Sequence, residues 1–448
     1  MNVKKTGIPR GFDTTLIWLY ILLLVIGWIA IFSVEYRPNE NVMKAILGLK
    51  KNYSKQLLFA GFCAFVGIFI LLTDSKFFTA TSNIMYLIGI LLMLFTFVIG
   101  KNISGSRSWI SLGHNFNLQP AELCKIFTAL ALAKYLSRSE TDFTKTRFQF
   151  IAFAITLAPA FISILQNETG LALVYFAFFI AMYREGLPSW YLVLGFSLII
   201  LVISTLLVEK NMLAIILSAI AIVIIYLLRT RYKRYRSLTI TVIGIWAVAV
   251  AIQRFAVPYV FDSVMKPYQV KRIYTAIGKD FIPKNAIELK ELQEKEKGKQ
   301  KDKGDYNVKQ SKIAIGSGGF MGKGFLKGLQ TQGDFVPAQH TDFIFTAWAE
   351  SFGFWGSTLL IGLYFLLLMR IVKIAERQRS TFSRVYAYSV ASIIFFHVMI
   401  NICMTVGLAP VIGIPLPLLS YGGSSLLTFT TLIFILLRLD ADRQMVLR

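Results

Sequence analysis

Apolar runs recur along this chain near 14–34, 56–74, 82–100, 120–136, 148–165, 170–183, 188–207, 211–228, 238–256, 343–369, 385–409 and 418–437. Most approach the ~20 residues a helix needs to cross a hydrocarbon core about 30 Å thick. A segment deprived of water must satisfy its own backbone, and an unbroken helix does so. The pattern predicts an all-α, polytopic membrane bundle of about 12 transmembrane helices, with 1–448 forming one membrane domain. Composition agrees, since only 16% of residues are charged against about a quarter in soluble domains. The first run is longer than the ~7–15 apolar residues of a cleavable signal. Val34-Glu35-Tyr36 offers no small-residue cleavage site, so this run is expected to remain as the first span.

The formal net charge is +23, and most of the basic residues sit in short loops between apolar runs. That is a topology signal rather than a nucleic-acid groove. With the N-terminus inside, alternation brings Arg138–Arg147, Arg229–Arg236, Arg370–Arg384 and Arg438–Arg448 to the cytoplasmic side. The loop carrying Lys44, Lys50, Lys51 and Lys55 falls outside and disagrees. Both termini are expected to be cytoplasmic, with 258–340 a long extracytoplasmic loop. Its charged insertion, 286–301, reads as a solvated segment without a core of its own.

Ionisable groups at membrane depth need partners or a function. Glu122 and Lys125 lie three apart in Gln119-Pro120-Ala121-Glu122-Leu123-Cys124-Lys125, on one helical face and close enough to pair. The pair serves equally as a neutralising device or as part of a site. Glu168, in Gln166-Asn167-Glu168-Thr169-Gly170, marks a tight outer turn where Asn and Thr suit a helix cap. Asp342, beside His340, and Glu350 are expected to open the tenth span on roughly one face. Cys63, Cys124 and Cys403 form no metal or redox motif with the three histidines, His114, His340 and His397. Gly316-Ser317-Gly318-Gly319 and Gly322-Lys323-Gly324 fit neither phosphate-binding fingerprint. Pro415 to Ser425, including Ser420, reads either as a close-packing motif or as the lining of a substrate cavity. A transporter and a membrane-embedded transferase both fit these features.

Through the same residues the chain resembles the SEDS family of shape, elongation, division and sporulation proteins. The resemblance rests on Gln119–Glu122, Gln310–Gly319, Gly322–Phe325, His340–Phe345, Asn401-Ile402, Gly413–Pro417 and Ser420–Ser425. Gln310–Gly319 and Gln330-Thr331-Gln332 look more like the rod-shape branch than the division branch. The resemblance implies an inverting peptidoglycan glycosyltransferase of the bacterial cytoplasmic membrane. It would join lipid II, a disaccharide-peptide on undecaprenyl pyrophosphate, into β-1,4 glycan strands during elongation and shape maintenance, beside a class B penicillin-binding protein. The alternatives are a lipid II flippase or a non-catalytic scaffold for that partner.

Such chemistry needs cations for the pyrophosphate leaving group and a carboxylate base for the acceptor hydroxyl. Lys125 and Arg107 are candidates for the first, with a divalent cation, Mg or Mn, as a further possibility and no organic cofactor. Glu122, Glu168, Gln310, Ser311, Lys312, His340, Asp342 and Ser420 are the other expected substrate contacts. Family members carry an essential Asp in an Asp-x-x-Gly-x-Gly-Tyr stretch that the charged insertion interrupts here, leaving Gly304-Asp305-Tyr306. Asp280, Asp302 and Asp305 therefore compete for the base, with Asp280 first by its spacing. Ala338 replaces a usual Glu, and two spans between about 188 and 228 exceed the family's ten.

Overall fold

A computed structural model describes residues 11–37, 42–103, 106–111, 117–228, 236–265, 270, 273–274 and 303–443. The chain is a multi-pass helical membrane protein. Among the described residues, nine helices are long and apolar enough to cross a bilayer by themselves. They are joined by Pro120–Leu136, by the broken pair Thr169–Tyr175 and Phe178–Arg184, and by Lys210–Leu228. Together these helices occupy all twelve apolar runs. Their ends follow caps rather than hydropathy. The third span starts at Ser75, seven residues ahead of its apolar run, because the Asp74 carboxylate caps the amide of Lys76 at 3.1 Å.

The described residues fall into two compact units. The first comprises Met1–Pro188, Tyr306–Gly407 and Val411–Arg448. Gly423–Ala441 and Thr381–Val406 are 83% and 67% buried, whereas Asn52–Leu72 and Ser75–Ile99 are 22% buried, so the last two spans form its centre. Pro120–Leu136 packs against both central helices and against Ser75–Ile99. Its run of alanines permits that close approach.

Polar contacts in this unit separate into two ends. At one, Asp13 pairs with Arg370 and Arg377, Asp440 with Arg377, Glu185 with Arg384, and Asp442 with Ser75. At the other, Arg37 pairs with Asp334, Gln332 donates to the Ser33 carbonyl, and the Tyr421 amide donates to the His340 carbonyl.

Residues 319–339 are fastened to helix Ile344–Glu376. Lys323 and Gly324 donate their amides to the carbonyls of Glu350 and Ser351, and Phe354 donates to Gly319. The helix breaks at Gly353 (φ 65°), where the backbone approaches Gly322 too closely for a side chain. Glu350 is buried and accepts from the amides of Gln330 and Thr331, both at 2.9 Å, and from the Thr331 hydroxyl at 2.6 Å. The expectation that Asp342 and Glu350 share a helix face is corrected here. The helix begins at Ile344, because Thr341 and Phe343 turn back to the Ala338 carbonyl, so Asp342 precedes it. Glu350→Ala leaves those donors without their acceptor, at ~1–3 kcal/mol for each one left unsatisfied. Limited proteolysis should then cut within 319–339 well before the helices, whereas an unchanged pattern would refute this anchoring.

The second unit comprises Ser189–Asp305 and Leu408–Pro410. It holds Trp190–Leu207 and Lys210–Leu228, together with Arg236–Ala251. Trp246 donates to Ser218 at 3.1 Å and Arg254 to Asn211 at 3.2 Å. The loop expected to begin at Pro258 starts later, since helix continues to Val264. Pro258 follows the π-helical turn Ile252–Ala256; a local change of hydrogen-bond register is one way a helix absorbs a missing N–H. The insertion 286–301 lies outside the described residues.

Candidate active site

Pro120 occupies the first turn of its helix, where its missing N–H costs nothing, and Glu122 in that turn complements the helix dipole. One turn on, Lys125 is fully buried and forms an ion pair with Glu122, its Nζ 2.8 Å from Oε2. The pairing expected from the i,i+3 spacing is thus made. Lys125 Nζ also lies 2.8 Å from His397 Nε2, on helix Thr381–Val406, and 5.6 Å from the centroid of the Phe429 ring. His397 Nδ1 faces the Pro415 carbonyl at 3.1 Å. Met93, Ala121, Cys124, Ile162 and Leu171 form a dry cluster beside the start of the helix.

One turn along Thr381–Val406 from His397, about 6 Å by helix rise, Asn401 donates to the carbonyls of Asp342 and Ile414 at 2.8 and 2.7 Å. Loop Val411–Ser420 therefore touches His397 through Pro415 and Asn401 through Ile414, and its Gly413 lies against the Asp342 carboxylate. Ser420 fixes this loop by donating to the Thr341 carbonyl at 2.6 Å and accepting from the Leu416 amide at 2.8 Å. Tyr421 meets the His340 ring edge-on at 5.9 Å.

Glu168 completes this rim. It stands at the N-cap of Thr169–Tyr175, yet its side chain does not cap that helix. Its carboxylate accepts from Ser108 at 2.6 Å instead, while Ser106 bonds Ser108 and the Gln166 carbonyl, both at 2.8 Å. Burial, and next the charge of Glu168, push the Asp342 carboxyl up to about 6. Burial holds His340 below its ordinary value.

Arg107 does not join Lys125. Ser106–Ser111 is a strand, antiparallel to Lys101–Ile103 and Asn117–Leu118, and its side chains alternate. Ser106 and Ser108 are buried toward Gln166 and Glu168, so Arg107 is exposed on the other face. In helix Lys303–Gly318, Ser311 is buried between Thr346 (2.6 Å) and the Thr405 carbonyl (2.8 Å). Gln310 is half-buried, and Lys312 is exposed with its stem against Gly407. Asp280, Asp302 and the Asp305 side chain lie outside the described residues. Sequence reasoning missed His397, Ser108 and Asn401 as site members. Only His397 carried a signal, a lone imidazole in an apolar run.

The fold and this site define a helical membrane protein with a buried ammonium paired to a carboxylate and an imidazole. The chain belongs to the FtsW/RodA/SpoVE family of cell cycle proteins, whose model matches residues 14–239 and 189–445. It is 30% identical to the peptidoglycan glycosyltransferase RodA of Treponema pallidum, over 93% of this chain and 94% of that one. Its fold is that of a chain in a solved peptidoglycan synthase complex that coordinates polymerization and crosslinking (TM-score 0.67, 23% identity, 97% of this chain and 99% of that one). It is also that of the Thermus thermophilus rod shape determining protein RodA (TM-score 0.60, 22% identity, again 97% and 99%).

Proposed function

We infer that the chain is a peptidoglycan glycosyltransferase that polymerises lipid II into β-1,4 glycan strands in cell elongation. The observation that carries the reading at the site is Lys125, a buried ammonium held by Glu122 and His397, with Asn401, one turn along from His397, bonded to the Asp342 carbonyl. In the reaction the acceptor hydroxyl attacks the anomeric carbon, its proton goes to a carboxylate base, and the bond to the lipid pyrophosphate breaks. Lys125 offsets the charge that develops on the leaving group. Loop Val411–Ser420, with Gly413 in the left-handed region (φ 71°), is the element that must yield to admit the donor.

Glu168 and Asp342 offer hard oxygen donors suited to Mg²⁺ or Mn²⁺, which bind through one or two carboxylates plus substrate phosphates. Burial raises Asp342 most and the like charge of Glu168 next, and a cation there would relieve the second. Among the described residues no cluster of three or more His, Cys, Asp or Glu forms a closed metal cage. When bound, the cation supplies charge neutralisation at the pyrophosphate. Asp280 remains first choice for the base, ahead of Asp302 and Asp305. Changed singly to Asn, only the true base should lose roughly 10²-fold or more in glycan synthesis. Normal polymerisation by Asp280→Asn would overturn the ranking.

The test of the function is glycan formation from radiolabelled lipid II by the full chain in detergent, with and without a class B penicillin-binding protein. Lipid II movement across vesicles without polymer would favour the flippase instead. We place the protein in the bacterial cytoplasmic membrane with both termini inside. Impermeant maleimide should label Leu329→Cys from outside intact cells and spare Lys145→Cys; the reverse pattern would invert the topology.

A further inference from the structure

The buried imidazole of His397 has no part in the chemistry above, yet it touches Lys125 directly. The Pro415 carbonyl has only lone pairs to offer, so the contact at Nδ1 requires the ring proton there. Nε2 is then a bare acceptor, and it receives an N–H from the Lys125 ammonium. Glu122 pairs with the ammonium ionically, 2.8 Å from Nζ. A lysine has three N–H groups, so donor capacity beyond the His397 contact is left for a ligand. The Phe429 ring limits movement on a further side, lying under the ammonium and meeting the imidazole edge-on at 4.9 Å.

Glu122 alone cannot fix this geometry. It stands on the same helix as Lys125, and a flexible four-carbon stem swings about a single ionic contact. The acceptor on the neighbouring helix supplies the second point. We propose that His397 is a positioning residue that aims a remaining N–H of Lys125 at the pyrophosphate of the lipid-linked donor. It also ties that aim to loop Val411–Ser420 through Pro415. This rests on the role given to Lys125 above.

The test compares His397→Gln, whose amide supplies both an acceptor and a donor, with His397→Phe, which keeps the ring and supplies neither. Each is made alone and with Lys125→Met in the full-length protein in detergent. Polymerisation of lipid II and binding of undecaprenyl pyrophosphate are measured, with thermal unfolding as a control. His397→Phe should lower polymerisation and pyrophosphate binding about 10- to 100-fold, the scale of a misplaced reacting group, in protein that stays folded at the assay temperature, its melting temperature lowered only by the two unsatisfied partners. His397→Gln should stay within about threefold of the parent, as retained hydrogen bonding requires. In the Lys125→Met background His397→Phe should weaken binding no further, because its effect passes through the ammonium.

Equal loss in the Gln and Phe variants, normal activity in the Phe variant, or an additive effect on top of Lys125→Met would each overturn the proposal. If Lys125→Met itself binds and polymerises normally, the role of Lys125 fails first. If Lys125→Met is inactive and His397→Phe is normal, only the positioning role fails.

Discussion

The double variant Glu122→Gln/Lys125→Met should insert and fold while making no glycan from lipid II. The double change matters because of what single changes do in a buried pair. Removing only one partner leaves the other charge without compensation, at ~3–5 kcal/mol, whereas replacing both together is often near neutral. Lys125→Met alone is therefore expected to melt earlier, and its loss of activity mixes stability with function. In the double variant the charges leave together and two residues of similar volume remain. His397 stays, its Nδ1–H still donating to the Pro415 carbonyl. A melting temperature within a few degrees of the parent, with polymerisation lost by ~10²-fold or more as for a removed electrostatic contact, is the expected result. A stable double variant that polymerises normally would reduce the pair to a neutralising device.

The second large effect concerns Asp342 and acid. Its carboxyl is pushed up to about 6 from an ordinary 3.8, by burial and next by Glu168. A raised carboxyl favours the folded state in its protonated form. That contribution is fully present below the unfolded value of 3.8 and is lost as pH rises through about 6. Activity runs the other way. If the ionised carboxylate holds a cation or substrate, polymerisation falls as pH drops through about 6, approaching tenfold per unit. Stability does not fall with it on account of this group. Mn²⁺ should move the midpoint of that decline to lower pH, since a bound cation favours the ionised form. Mn²⁺ should also raise the melting temperature of the parent, and do so much less in Asp342→Asn and Glu168→Gln. If the pH profile is unchanged in Asp342→Asn, and Mn²⁺ stabilises all three proteins alike, Asp342 is neither ligand nor titrating group.

Both experiments depend on groups that differ in how they could be found. Glu122 and Lys125 were legible in the sequence because the helical period fixes which residues share a face. The spans were legible for a related reason, since bilayer thickness sets run length. Termination was less legible. Asp74 moved one helix start and a π-helical turn carried another helix past Pro258, both through backbone hydrogen bonds that hydropathy does not register.

The tertiary structure alone decided the partners. Lys125 meets an imidazole 272 positions away, and Glu168 meets a serine 60 positions before it rather than capping its own helix. Arg107 was a candidate for the leaving group with Lys125, but a short strand turned it outward, because alternation sends Ser106 and Ser108 inward. Glu350 was expected on one face with Asp342, but it became the anchor of 319–339. For the residues on or beside helices the physical reason is common. Membrane helices are apolar on nearly every face, so periodicity does not say which face meets which neighbour. Close packing and the demand that each buried polar group find a partner settle that only when the helices are assembled.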